Sequence, residues 1–134
     1  MGYRSEFRQD LFAGRTVIVT GSGSGIGRCT AHELASLGAN VVLLGRRLDR
    51  LEIVEGEIRS DGGEAFAMAC DIREEGAVIA AIETTLKRYG QIDGLVNNAG
   101  GQYRTAMKNI SHQRVRGGRA QQSHWRLHFY ARAL

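Results

Sequence analysis

The run "TVIVT" (16–20), followed at once by "GSGSGIG" (21–27), limits what this chain can fold into more than any other feature. Consecutive β-branched residues with no polar alternation suit a strand covered on both faces, as in a parallel sheet. Gly25 to Leu37 then has helical character, and Gly38 stands where a helix stops. A glycine-rich turn between a strand and a helix lets backbone N–H groups approach a pyrophosphate closely and delivers its charge to a helix N-terminus. The spacing G-x-G-x-x-G fails, because Gly21 and Gly23 are followed by Ile26, and Gly23 and Gly25 by Arg28. T-G-x-x-x-G-x-G fits, on Thr20, Gly21, Gly25 and Gly27, with Ser22, Ser24 and Ile26 in the gaps. Alone, such a loop can be no more than a flexible turn; between a strand and a helix it reads as a cofactor loop.

The same alternation continues. "NVVLL" (40–44) is a second buried strand, and Leu48, Leu51, Val54 and Ile58 mark one face of a helix that ends at "DGG" (61–63). "EAFAMAC" (64–70) is a third strand, weaker in propensity for its alanines. Asp71 and Glu74 have capping-box spacing ahead of a helix with the stripe Val78, Ile82, Leu86 and Tyr89, closed by Gly90. "IDGLVN" (92–97) supplies a fourth strand. The expected class is α/β, in the order βαβαβαβ: the N-terminal half of a Rossmann-type, doubly wound parallel sheet. The expected organisation is an N-terminal arm (1–13), a dinucleotide-binding half-domain (14–110), and a basic, disordered tail (111–134).

Composition is that of an ordinary globular chain, 43% hydrophobic and 24% charged. Charge is unevenly placed: residues 1–107 carry 12 Lys and Arg against 14 Asp and Glu, whereas residues 108–134 carry six basic residues and no acid. No apolar run nears the roughly 18 residues that span a membrane, and "MGYRSEFRQD" lacks a signal-peptide core. Glu6 stands where a myristoylation signal wants Ser or Thr, so a cytoplasmic chain is expected. Cys29 and Cys70 have neither a disulfide pattern nor metal-ligand spacing, and read as two small buried hydrophobes.

Three motifs in order, "TGSGSGIG", "CDI" (70–72) and "NNAG" (97–100), each after a strand, resemble the short-chain dehydrogenase/reductase family over about residues 10–110. The resemblance implies that Asp71 accepts a hydrogen bond from the adenine amino group with Ile72 beside the ring, and that Asn97, Ala99 and Gly100 line the ribose. Asp71 can also be simply a helix cap. The family's NAD-dependent members carry an acid at the end of the second strand; here "LLGRRLDR" puts Gly45 there, followed by Arg46 and Arg47. A guanidinium fork matches a phosphate bidentately, so the site is expected to take NADP(H), with Arg46 the better candidate; the plainer reading is a pair of solvated helix-start charges. "NNAGGQY", "ACDIREE" and "GRRLDRLE" look most like the trans-2-enoyl-CoA and 2,4-dienoyl-CoA reductases, which implies an acyl-CoA substrate.

The family's catalytic Tyr-x-x-x-Lys pair has no match: Tyr89 is followed at the fourth position by Asp93, Tyr103 by Met107 and Tyr130 by Leu134. No catalytic residue is therefore assigned, and the chain alone is expected to be inactive, as a fragment or a weak nucleotide-binding module. The basic tail admits three readings. Arginines interleaved with Trp125, Phe129 and Tyr130 could bind nucleic acid, and a basic stretch could lie on a membrane surface, but Gly117-Gly118 breaks any clean helical stripe. The favoured reading is a shift of frame near Ser111: the single Trp codon at Trp125 read one base later forces Gly. The same shift permits Asn at Gln121 and Gln122, Leu at Ser123 and Thr at His124, spelling the "NNLTG" the family would carry there.

Overall fold

In a computed structural model that describes residues 2–100, the strand-helix alternation forms as one layered unit. Its elements are β1 (Thr16–Thr20), α1 (Gly25–Ser36), β2 (Asn40–Gly45), α2 (Leu48–Ser60), β3 (Glu64–Ala69), α3 (Glu75–Tyr89) and β4 (Gly94–Val96). All strand pairs are parallel and lie in the order β3-β2-β1-β4. β1 is thus central, and the order reverses between β1 and β4, which is where ligands enter open sheets of this kind. The expected tail, and the outer end of the half-domain, fall outside the described residues.

Because side chains alternate across a strand, the sheet feeds two cores. Val17, Val19, Val41, Leu43 and Ala65 face α1 and α2, meeting Ala31, Ala35, Leu51, Val54 and Ile58. Ile18, Val42 and Leu44 face the other way and meet Val78, Ala81 and Ile82 of α3. This two-sided burial explains why β1 and β2 read as unbroken apolar runs. The buried face of α1 is only Gly27, Ala31 and Ala35, small residues that bring the helix close to the sheet. No helix among the described residues is long and apolar enough to cross a membrane.

Four expectations need correction. Leu86 is 40% exposed, and Thr85 takes its place in the buried stripe. At about 100° per residue Thr85 lies about 20° from Val78 around the helix and Leu86 about 80°. The Thr85 hydroxyl is buried at no polar cost because it donates to the Ala81 carbonyl at 2.7 Å. Leu48 is also exposed, being the first residue of α2 and beyond the last sheet pair, Gly45 with Ala69. Asp71 and Glu74 do not form a capping box: Glu74 is the cap of α3 and makes no side-chain cap bond, while Asp71 binds Arg73 instead. Finally, Cys70 is buried but Cys29 is exposed on α1. Burial pushes the Cys70 thiol up to about 11, with the charges of Asp71 and Glu74 adding to it.

Candidate cofactor site

The site forms where the carboxyl ends of β1, β2, β3 and β4 meet the N-terminus of α1. The glycine loop is fastened to the end of β2, since the Gly21 N–H donates to the Leu44 carbonyl at 2.8 Å. Gly21 turns the chain with φ of 64°, and Gly25 opens α1 with φ of 55°, both in the left-handed region that penalises a side chain. The two glycines differ in their surroundings. A Cβ on Gly21 would stand 3.0 Å from the Ala99 Cα, and one on Gly27 would sit on the Gly21 carbonyl oxygen and the Asn98 amide. A Cβ on Gly25 would meet nothing within 4 Å. Gly21 and Gly27 therefore serve packing, whereas Gly25 keeps open a space that no part of the described chain fills.

The loop and the "NNAG" turn are a single hydrogen-bonded piece. The Thr20 hydroxyl accepts from the Asn98 N–H at 3.1 Å and the Ala99 N–H at 3.0 Å, and donates to the Val96 carbonyl at 3.3 Å. That uses the full capacity of one hydroxyl. The Asn98 side-chain amide donates to the Gly21 carbonyl at 3.1 Å. Neither Thr20 nor Asn98 stood among the sequence candidates as a holding residue. The only hint was the doubled Asn, since the contact spans 78 positions of the chain.

Of the sequence candidates, Gly21, Ser24, Gly25, Ile26 and Gly27 line the loop as expected from their order, with Ser24, Gly25 and Ile26 exposed. Ser22 differs: it is fully buried, with its hydroxyl turned to the Leu44 carbonyl, so its side chain braces the loop from beneath. Ser24 caps α1 in an extended conformation and makes no side-chain cap bond. The first N–H groups of a helix have no intrahelical acceptor, so they point out of this end of α1 beside the open face of Gly25. Asn97 and Ala99 are half-buried and Gly100 is exposed; the Asn97 Oδ1 is buried without a hydrogen-bond partner among the described residues.

At the far side of the crevice the ends of β2 and β3 lie together, the Cys70 N–H donating to the Gly45 carbonyl at 2.8 Å. Arg46 and Arg47 are both exposed there, but they differ in their partners. Arg47 forms a 2.8 Å ion pair with Asp49. Arg46 has no hydrogen bond or ion pair among the described residues, although its charge is felt at Asp71. A Cβ on Gly45 would come within 3.3 Å of the Leu51 Cδ2, so a side chain at that corner requires Leu51 to give by a few tenths of an ångström. The side-chain hydrogen bonds of Arg73 hold Asp71 far below the usual carboxylate range, at about 2, against the opposing pull of burial. Ile72 packs partly into the α3-side core.

These features fit a dinucleotide: exposed helix-terminal amides, a loop position kept clear of side chains and, at the joined ends of β2 and β3, a carboxylate beside a guanidinium that is unpaired among the described residues. Among the described residues no group of three or more His, Cys, Asp or Glu is placed to hold a metal ion. Comparison with known proteins decides the lineage. The family model for short chain dehydrogenases matches residues 15–117. The chain belongs to the short-chain dehydrogenase family. It is 52% identical to citronellol catabolism dehydrogenase (AtuB) from Pseudomonas aeruginosa PAO1, with a TM-score of 0.78 over 87% of this chain and 47% of that one. A metagenomic short-chain oxidoreductase solved in complex with NADP is 35% identical, with a TM-score of 0.77 over 91% of this chain and 57% of that one. The peroxisomal 2,4-dienoyl-CoA reductase of Arabidopsis thaliana is 32% identical over 107 residues, which make up 80% of this chain and 36% of the relative. The chain thus spans about a third of the length of the curated relatives it matches. Rossmann-type binding of a nicotinamide dinucleotide is the family's shared property.

Proposed function

We propose that this short-chain dehydrogenase chain supplies the dinucleotide-binding part of an NADP(H)-dependent reductase acting on acyl-CoA-type substrates. The observation that carries the cofactor choice is the corner at the end of β2. Gly45 stands where an acid would repel a phosphate, and Arg46 next to it is exposed and unpaired among the described residues. The loop amides around Ser24, Gly25 and Ile26 would receive the pyrophosphate, Asp71 the adenine, and the Asn97–Gly100 turn the ribose. Bound there, the dinucleotide would supply a hydride, while the chain's own residues hold and orient it. The substrate class is supported by the likeness of "NNAGGQY" and "CDIREE" to enoyl- and dienoyl-CoA reductases, and by the name of the Arabidopsis relative.

Titration of the chain with NADPH and with NADH, followed by nicotinamide fluorescence, tests this reading. NADPH is expected to bind more tightly, and Arg46→Ala to weaken NADPH about tenfold while leaving NADH unchanged, as loss of one charge-assisted phosphate contact requires. Equal affinity of the wild-type chain for both would overturn the NADP(H) assignment, and a folded chain that binds neither would overturn the cofactor reading altogether. A second reading, a binding module without turnover of its own, is favoured by the lack of a Tyr-x-x-x-Lys pair in these 134 residues. It predicts dinucleotide binding without oxidation of NADPH by crotonyl-CoA.

A further inference from the structure

Asp71 is already held on both oxygens by one neighbour. Its Oδ1 accepts from the Arg73 backbone N–H at 3.0 Å and from the Arg73 Nε at 3.0 Å. Its Oδ2 accepts from the same Nε at 3.2 Å and from Nη2 at 2.7 Å. Three N–H groups, with the Nε–H shared between both oxygens, take most of the roughly four acceptor positions of a carboxylate, so the amino group of an adenine competes with Arg73 for this oxygen pair. The pair is also not locked in place: half of the Arg73 side chain is exposed, and a quarter of Asp71. The fork can leave, but something must offer it an equivalent partner. Arg46 is the other cation whose charge reaches Asp71, so Arg46 and Arg73 flank one carboxylate at the joined ends of β2 and β3.

We propose that Arg73 is a specificity-determining residue that covers Asp71 in the free chain and yields it only in exchange for a 2′-phosphate. This rests on the dinucleotide reading given above and adds a regulation of the same site. Adenine recognition sets the amino group against the Arg73 fork at the Asp71 oxygens. A 2′-phosphate drawn in by Arg46 is a dianion that takes a guanidinium fork as a carboxylate does, so NADPH compensates Arg73 for the lost bond. NADH brings only a ribose hydroxyl to that corner and leaves Arg73 to solvent. A ligand shifts such an equilibrium only by its differential affinity for the two arrangements, and here the difference lies in the phosphate. Cofactor preference then comes from two arginines by different routes, attraction at Arg46 and uncovering at Arg73.

The two routes separate in a binding experiment on the full chain. Arg73→Ala leaves Asp71 uncovered, so NADH is expected to bind about threefold more tightly, the size of a half-exposed ion pair that no longer has to break. The same variant loses the exchange partner, so NADPH is expected to bind roughly tenfold less tightly. Arg73→Lys, which keeps the charge without the fork, is expected to keep the NADH gain and recover part of the NADPH affinity. Carbon-detected titration of the Asp71 carboxyl supplies a readout independent of any nucleotide, its pKa rising toward the ordinary 3.9 or so in Arg73→Ala. If Arg73→Ala weakens NADH and NADPH alike, Arg73 only braces the turn and the proposal fails. If NADPH weakens while NADH stays the same, Arg73 is a phosphate contact and does not cover Asp71, and the proposal fails again. Wild-type chain that binds neither dinucleotide would instead remove the reading beneath it.

Discussion

The two ends of the sheet are built on opposite plans. At the amino ends of the strands the chain satisfies most of its own groups, the buried Thr16 Oγ1 being the exception among the described residues. The Tyr3 N–H donates to Asp61 at 3.2 Å, the Tyr3 and Ser5 hydroxyls both donate to Glu33, and the Phe12 N–H donates to the Leu37 carbonyl at 2.9 Å. Asp93 closes the start of β1 by accepting from the Thr16 N–H at 2.8 Å. At the carboxyl ends the described residues leave groups open: the uncapped start of α1, the clear face of Gly25, the unpaired Arg46 and the orphaned Asn97 Oδ1. A buried acceptor without a partner costs about 1–3 kcal/mol, which a ligand or a further part of the protein recovers. Substitutions at the amino ends should therefore change stability alone, and substitutions at the open end should change binding more than stability.

Gly27→Ala should break this division most severely, because Gly27 lies at the open end yet serves packing. Its Cβ would overlap the Gly21 carbonyl and the Asn98 amide, neither of which can retreat without breaking the Thr20 and Asn98 bonds. The expected loss is about 3 kcal/mol or more, read from the urea midpoint, with dinucleotide binding lost as a consequence of the misplaced loop. An unchanged midpoint would mean that the loop and the "NNAG" turn are not one piece. Gly25→Ala should sharpen the division. The φ of 55° costs an alanine about 1–2 kcal/mol, but the new methyl meets nothing within 4 Å of the chain itself. NADPH affinity should fall by a larger factor than this strain explains, since on the proposed reading the methyl would stand where the pyrophosphate approaches the helix amides. Isothermal titration beside a urea melt separates the two effects, and a loss of stability with no loss of affinity would move the pyrophosphate away from Gly25.

The contrast also shows which parts were open to a reading of the sequence. The glycine loop and the first two strands were legible because they depend on local signals: positive φ, β-branching and burial on both faces. The third strand, weak in propensity, forms at Glu64–Ala69 because β2 pairs with it along its whole length. Apolarity alone puts Leu86 in the α3 stripe, whereas the helical period selects Thr85, whose hydroxyl is satisfied within its own helix. The Asp71–Glu74 spacing suggested a box, but Arg73 lies two residues from Asp71 and offers a charged fork that a backbone amide cannot match. Thr20 and Asn98 could not be found by periodicity, because each matters through the other across the β1–β4 seam. The sequence already favours Arg46 over Arg47, and the structure adds a physical difference between them, since Arg47 is paired with Asp49.

The smallest expected effect is at the amino ends and concerns acid. The Thr16 N–H, with help from Arg15 and Gln91, holds the Asp93 carboxyl below its ordinary range. A carboxyl with a lowered folded pKa stabilises the protein fully above its unfolded value near 3.9, and the contribution fades as pH falls through the folded value. The stability difference between the wild-type chain and Asp93→Ala should accordingly be constant from neutral pH down to about 5 and shrink below about 4. Urea melts across that range measure it, and a difference that grows with acidity would reverse the sign and refute the role assigned to Asp93. Dinucleotide affinity of Asp93→Ala at neutral pH should match the wild-type value. Asp93 ties the start of β1 and lies a full strand away from the glycine loop, so a change in affinity would show that the two ends of the sheet are coupled.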